Sequence, residues 1–405
     1  MFDLVVIGGG AAGFFAAIRA VEMNPALRIL ILEKSNKLLS KVKVSGGGRC
    51  NVTHHCFNPN KLAAYYPRGG KQMKKLFQHF HAKHVVDWFA SKGLELKTEA
   101  DGRMFPVTDN SQTIIDCFLQ EAEKHHIKIN MLCGVNKIEF EKDNWKIYTE
   151  QKQIIEAKKV LVATGGSAKP EGYQWLSALG LKIVPPIPSL FTFNDSAKHF
   201  KDLMGLAVPN AEVKIAGTKF SEQGALLITH WGLSGPAVIK LSAWAAKYFY
   251  EQNYTFTALV SWIGAINEND LRATLLEQKQ AHPKRKIYND VLFDLPSRLW
   301  IRLCERAEIP AEKVWGELAM KNLNKLIEQL MRCTFHIKGK TTFKEEFVTC
   351  GGVDWDEVDL PSMQSKNLPG LYFAGEILDV DGVTGGFNFQ SAWTTAEIAA
   401  RHIAR

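Results

Sequence analysis

A doubly wound α/β fold, closed by both ends of the chain around an inserted domain, is predicted by three observations. The chain opens with an apolar strand, Asp3-Leu-Val-Val-Ile7, that runs through Gly8-Gly9-Gly10-Ala11-Ala12-Gly13 into a helix. A second apolar strand, Arg28-Ile-Leu-Ile-Leu32, ends in Glu33. The last part of the chain returns to the same texture, with Leu371-Tyr-Phe-Ala374-Gly375-Glu376 followed by a glycine-rich helix start at Gly385-Gly386. A Gly-x-Gly-x-x-Gly turn between strand and helix, with an acid closing the next strand, is the βαβ fingerprint of a dinucleotide-binding, Rossmann-like domain. Gly8 permits the tight turn, Gly10 lets backbone approach a pyrophosphate, and Gly13 lets helix pack on strand. The helix then offers its unpaired N–H groups and positive dipole end to the phosphates.

The chain has 405 residues, enough for two or three domains, and 46% hydrophobic with 23% charged residues is an ordinary globular balance. The acid Asp3 and the interrupting glycines argue against a signal peptide, and no apolar run reaches membrane-spanning length. A cytoplasmic location follows as the expectation. Seven cysteines, an odd number with no Cys-x-x-Cys pair, fit that compartment and predict neither a zinc site nor a redox dithiol. A net charge of +8 suits either an anionic partner or simple solubility. Nothing in the sequence specifies an oligomeric state.

After Glu33, the stretch Lys41-Val-Lys-Val-Ser45-Gly46-Gly47-Gly48-Arg49-Cys50-Asn51-Val-Thr53 reads as a loop or helix start held close to a ligand. Three successive glycines cost too much backbone entropy for a regular strand or helix. Met73–Ser91 has helical periodicity, Gly102–Pro106 reads as a turn, and Ser111 is expected to cap the following helix. Ile127–Leu132, Val135–Phe140, Trp145–Tyr148 and Ile154–Ala157 read as strands. Lys159–Ala163, ending at Thr164-Gly165-Gly166, reads as a further strand buried on both faces. Pro185-Pro186-Ile187-Pro188 marks a domain crossing. The middle of the chain changes character, with strands at Val213–Ile215, Ala225–Ile228 and Phe256–Val260 and a helical stretch from Pro296 to Arg332. The expected organisation is therefore a first part of the nucleotide domain at 1–189, an insert of small β-sheet or barrel plus helical bundle at 190–345, and a second part of the nucleotide domain at 346–405. The terminal helix is expected over Ser391–Ile403.

Strand ends near Gly8, Thr164 and Gly375 all finish in glycine turns, which a parallel sheet gathers at its carboxyl edge. NAD needs chiefly the first of these. A second glycine-rich helix start near the far end of the chain suggests FAD, with the opening helix on its pyrophosphate and the last helix on its flavin ring. Backbone N–H groups around Asn388 and Phe389 would stabilise negative charge developing on the reduced ring.

At this point the chain resembles the two-dinucleotide-binding-domain flavoproteins, and more closely the BaiN/RdsA-type bacterial FAD-dependent oxidoreductases. The resemblance rests on Val6–Gly13, Ser45–Thr53, Gly224-Ala-Leu-Leu-Ile-Thr-His-Trp-Gly-Leu-Ser-Gly-Pro236, Thr349-Cys-Gly-Gly-Val353 and Gly382-Val-Thr-Gly-Gly-Phe-Asn-Phe-Gln390. It implies FAD contacts at Gly10, Ala12, Gly13, Glu33, Lys34, Arg49, Cys50, Thr164, Gly165, Gly375, Glu376, Asn388 and Phe389, with Val135 at the adenine. From the same turns the expected set also takes in Gly8, Ala11, Gly48, Asn51, Ala163, Gly386 and Phe387. The family pattern suggests reduction of uridine to dihydrouridine in large ribosomal RNA. A small-molecule alkene reductase for steroid-like acids, and a flavin-containing RNA-binding factor without catalysis, are the alternatives.

Cys50 has two readings, a redox-active thiol whose pKa the neighbouring Arg49 lowers, or a residue packed against the flavin. His230, in Thr229-His230-Trp231, reads either as the proton donor that carbon–carbon double-bond reduction needs or as a structural partner of Trp231. Arg49 suits a substrate anion or the flavin. Only one dinucleotide fingerprint is present, so an NAD(P)H donor would visit transiently. Arg68, Lys71, Lys74 and Lys75, with Tyr65 and Tyr66 nearby, and Lys284-Arg285-Lys286 are basic clusters that read as solvated surface or as an RNA contact.

Overall fold

The computed structural model describes residues 1–167, 169–341 and 348–405. The chain divides into two compact units, Met1–Ser189 with Phe343–Arg405, and Leu190–Thr342. The expected boundary at 345/346 lies outside the described residues.

In the first unit, β1 (Phe2–Ile7) leads into α1 (Ala11–Met23), β2 (Ile29–Leu32) and α2 (Ser40–Gly48). Two short helices follow, α3 (Pro59–Ala63) and α4 (Gly70–Leu76). The long strand β3 (Ile154–Val162) and, much later, β4 (Leu371–Phe373) and α5 (Phe387–Ile403) complete the framework. The sheet runs β4-β3-β1-β2, then Lys128–Asn130, with all of these neighbours parallel. Leu4, Val5, Val6, Ile31, Val160, Leu161, Val162 and Leu371 are buried, as strands covered on both faces require.

The two apolar runs Ile154–Ala157 and Lys159–Ala163 prove to be one strand. The first half of β3 pairs antiparallel with Asn144–Thr149, and its second half joins the parallel sheet beside β1. Helices α1 and α5 pack on each other, with Phe15 against Trp393 at 5.4 Å and Arg19 Nε donating to the buried Glu397 carboxylate at 2.7 Å.

Several local expectations are corrected. Met73–Ser91 is two helices, α4 and Ala82–Ser91. The break is stabilised by a reciprocal cap in which the His81 ring accepts from Lys83 N–H while the His84 ring accepts from His81 N–H. Of Gly102–Pro106 only Gly102 turns; Arg103–Pro106 is the central strand of a three-stranded sheet. Asn110, not Ser111, caps the following helix by accepting from Gln112 N–H, while the Ser111 hydroxyl donates to the Lys43 carbonyl at 2.8 Å. The glycine stretch does belong to α2, but helical geometry fails at Ser45, Gly46 and Gly47, with both glycines left-handed. The terminal helix starts at Phe387, four residues before the expected Ser391. Pro185–Pro188, expected at a domain crossing, lies in the strand Ile183–Ser189 that ends directly before the second unit at Leu190, and its register slips between Val184 and Ile187, where prolines lack an N–H.

The second unit is a closed six-stranded antiparallel barrel in the order Thr192–Asp195, Gly232–Ser234, Ser221–Ile228, Ala207–Ile215, Thr255–Ser261 and Cys333–Thr341. Helices Glu268–Ala281, Ser297–Arg306 and Met320–Met331 complete its core, the last burying Leu323, Leu326, Ile327 and Leu330. Among the described residues, no helix is long and apolar enough to cross a membrane.

Trp393 is fully buried against Phe15 and Phe118, and its indole N–H donates to the Val52 carbonyl at 2.9 Å. Trp393→Ala is expected to cost about 3–5 kcal/mol of stability, read as a lowered melting temperature by circular dichroism.

Candidate FAD site

Register alone assembles the first half of the site. Ile7 pairs with Leu32 on one side and Val162 on the other, and Val162 pairs with Phe373, so four strand ends lie at one level. From these ends leave the turns bearing Gly8, Glu33, Thr164 and Gly375. A Cβ on Gly8, at φ +118°, would run into the Ala163 carbonyl, and one on Gly13 would strike the Gly8 carbonyl. A Cβ on Gly10 would meet nothing within 4 Å. The open face of the turn therefore lies at Gly10, where the N-cap of α1 has no side-chain cap. Ala11, Ala12 and Gly13 form the uncapped first turn.

Glu33 is positioned by that same turn. Its carboxylate accepts from Gly9 N–H at 2.9 Å and from Ser35 N–H at 2.8 Å. Cys133 N–H donates to the Glu33 carbonyl at 2.8 Å, which brings the start of the Val135–Glu141 strand alongside. Ala163 is buried and Thr164 exposed at the end of β3. Gly375 lies so close to α1 that a Cβ would come within 2.9 Å of the Ala12 Cβ, and its N–H donates to Thr395 of α5 at 2.8 Å. Glu376 pairs with Lys41 at 2.6 Å and accepts from Thr349 N–H at 3.2 Å. Lys34 is exposed.

The second half forms where the segment after α2 meets the start of α5. The Asn51 amide bridges the two, donating to the Thr53 carbonyl at 3.0 Å and accepting from Gly386 N–H at 2.9 Å. Thr53 donates to Gln390 at 2.6 Å, and a Cβ on Gly386 (φ +88°) would lie 2.6 Å from the Thr53 carbonyl. Asn388 clamps the preceding loop, accepting from Gly382 N–H at 2.8 Å and donating to the Gly382 carbonyl at 2.9 Å. The N-cap of α5 also lacks a side-chain cap, so Phe387, Asn388 and Phe389 open a second helix start that favours negative charge. At Gly47 and Gly48, both left-handed, a Cβ would again meet nothing within 4 Å.

Two expectations about reactive groups are corrected. Cys50 is fully buried at φ +62°, and burial pushes its thiol up to about 12, which goes against the redox-thiol reading and with the packed one. Arg49 instead turns to Glu99 at 2.6 Å and Asp109 at 3.5 Å and lies over the Phe105 ring. Its charge is thus already partnered. Arg68 and Tyr66 are likewise not surface groups. Arg68 makes a two-pronged ion pair with Asp381, which also accepts from Ser189 at 2.7 Å, and the buried Tyr66 hydroxyl donates to the Phe387 carbonyl at 2.6 Å. In the barrel unit, His230 is exposed, edge-on to Trp231 at 4.3 Å, and lines a small depression with Asp195, Lys198 and Lys201.

The first unit's residues fit FAD on its own geometry: an open glycine turn at one uncapped helix start for phosphates, a fixed carboxylate for ribose hydroxyls, and a second uncapped helix start for an anionic ring edge. Comparison with known proteins agrees. The family described as HI0933-like protein Rossmann domain matches residues 2–402. The chain belongs to this family. It is 31% identical over 411 residues to the ribosomal RNA dihydrouridine synthase of Escherichia coli (strain K12), covering 99% of this chain and 98% of that protein. It is 26% identical to the 3-dehydro-bile acid delta(4,6)-reductase of Clostridium scindens, covering 98% of this chain and 97% of that protein. Among solved structures, 3-ketosteroid-delta4-(5alpha)-dehydrogenase from Rhodococcus jostii RHA1 shares the fold with a TM-score of 0.53 at 13% identity, over 100% of this chain and 97% of that one. This member of the HI0933-like family is an FAD-dependent oxidoreductase.

Asp381 supports the site without having stood out in the sequence, and Lys41 and Arg68, noted there only within basic stretches, support it through ion pairs. Lys41 and Glu376 are 335 positions apart and Arg68 and Asp381 are 313, so local pattern carries no signal for either pair. Gly10→Val is expected to yield protein that folds, because the space is open, yet loses flavin absorbance near the visible maximum. Retained yellow colour at full stoichiometry would contradict the pyrophosphate assignment.

Proposed function

We propose that this protein reduces a uracil base in large ribosomal RNA to its dihydro form, with a nicotinamide nucleotide as a transient electron donor. What carries the reading is the similarity to ribosomal RNA dihydrouridine synthase over nearly the full length of both chains. Bound FAD supplies reversible hydride exchange. The remaining work falls to the chain. Gly10 and the first turn of α1 bind phosphates, Glu33 accepts hydrogen bonds from a ribose, and Val135 packs at the adenine. The backbone N–H groups of Asn388 and Phe389 hold negative charge at the pyrimidine edge of the ring. Reduction of the double bond adds a hydride to one carbon and a proton to the other, and we assign the proton to His230. Cys50 acts through its backbone and packing. Each named relative is an enzyme, so the non-catalytic alternative is set aside. Action on ribosomal RNA would place the protein in the cytoplasm.

Nucleoside analysis of large ribosomal RNA from cells with and without the gene tests the substrate. Loss of a dihydrouridine residue on deletion is expected; an unchanged level, with purified enzyme turning over a conjugated enone, would replace this reading with small-molecule alkene reduction. His230→Ala is expected to slow the oxidative half-reaction by about 10²–10⁴-fold while FAD stays bound, as followed by stopped-flow absorbance. Unchanged turnover would remove His230 from the reaction.

A further inference from the structure

The positive charge of this protein is not spread evenly along its chain. Residues 34–86 contain eleven of the chain's 50 Lys and Arg and none of its 42 Asp and Glu, leaving 39 bases against 42 acids elsewhere. The folded structure divides these cations into two kinds. Arg49, Arg68, Lys41 and Lys83 are held by Glu99, Asp381, Glu376 and Asp87. Lys61 on α3 and Lys71, Lys74 and Lys75 on α4 are exposed, and among the described residues no carboxylate lies within ion-pair distance of any of them. The burial of Leu62 and Ala63 on α3, and of Met73 and Leu76 on α4, turns the lysines outward. The two helices pack on each other, so the four charges belong to one surface.

That surface adjoins the second half of the FAD site within the same unit. Between α3 and α4 the chain runs beside the loop that precedes α5: the Tyr65 carbonyl accepts from Val383 N–H at 3.0 Å, and Arg68 forms an antiparallel bridge with Asp381. Tyr65, 36% exposed, stacks on Phe387 at 4.3 Å with 13° between the rings. An outward aromatic ring, backed by a second ring and flanked by unpaired lysines, is what single-stranded RNA uses: phosphates on the cations and a base on the ring. The basic triplet in the other unit differs, because Arg285 is paired with Asp290 and Lys286 with Glu312.

We infer that α3, α4 and Tyr65 form the RNA-docking surface of this enzyme, with Lys61, Lys71, Lys74 and Lys75 on the phosphate backbone and Tyr65 stacking a base next to the loop before α5. This rests on the RNA reading above and names the surface that serves it. The acid-free stretch keeps the approach to that loop attractive to a polyanion, while acids elsewhere prevent the whole molecule from binding RNA indiscriminately.

The test uses the FAD-loaded enzyme and a fluorescein-labelled, single-stranded 20-nucleotide RNA of mixed sequence containing uridines, with affinity measured by fluorescence anisotropy over a salt series. Four phosphate contacts imply a slope of log affinity against log salt of about −3, and Lys71→Gln/Lys74→Gln/Lys75→Gln should reduce it by about 2. Tyr65→Leu should weaken binding by about tenfold with little change in slope. FAD content and the rate of flavin reduction by NADH or NADPH should match wild type in the triple variant, which separates docking from misfolding. Lys284→Gln/Lys286→Gln is the control and should leave both slope and affinity unchanged. If wild type binds with a steep slope and the triple variant keeps it, the docking surface is wrong while the RNA reading stands. If wild type itself shows no salt-dependent binding, the RNA reading falls and this surface falls with it.

Discussion

Backbone hydrogen bonds between parallel neighbours hold Leu32, Ile7, Val162 and Phe373 at one level, and the rest of the site depends on that ladder. A parallel sheet has no freedom to stagger these ends once both its faces are buried, since a one-residue slip would turn apolar side chains toward the wrong layer. The turns leaving the ends then converge without any contact between their side chains being needed. Gly8, Gly13 and Gly375 are small because neighbouring backbone or helix already fills the space a side chain would take, whereas Gly10 is small beside open space. The first group serves packing, and the last opens on unfilled space.

Two helix starts face this arrangement with glycine at the N-cap and no side-chain cap. A serine or aspartate cap would stabilise the isolated helices more, by a few tenths of a kcal/mol over glycine. It would also occupy the N–H groups that an anionic ligand needs. The chain instead stabilises α5 from its sides, through Trp393 bonded to Val52, Thr53 bonded to Gln390, and Glu397 paired with Arg19. Asn51 and Asn388 hold the loops on either side of its first turn. Stability is supplied by side-chain contacts away from the helix tip, and the tip stays available for binding.

Charge placement follows a similar division. The buried Arg68–Asp381 pair joins the segment before α4 to the loop before α5, with burial pushing the Asp381 carboxyl up against the pull of the guanidinium. Breaking one partner of such a pair is costly, because the other is left charged away from water. Arg49 is tied to Glu99 and Asp109, which leaves Cys50 without a cation to stabilise its thiolate and lets burial dominate. Adjacent residues in a sequence can thus face unrelated environments, and the electrostatics of each follows from where its side chain points.

Spacing and backbone chemistry made one part of this protein legible from its residues. The glycine turns, the acid at Glu33, the buried parallel strands and the second glycine-rich helix start near Gly386 belong to that part, because the period of a strand and the steric needs of a turn are local. Folding settled what remained. It joined two apolar runs into β3, split Met73–Ser91 at the His81 cap, moved the start of α5 to Phe387, and raised rather than lowered the Cys50 thiol. It also separated Arg68, paired with the buried Asp381, from Lys71, Lys74 and Lys75, exposed on α4, although the four sit close together in the chain. One cause underlies every case: strand pairing, burial and ion pairing are energies between segments far apart in sequence, and local residue pattern does not record which distant group will arrive.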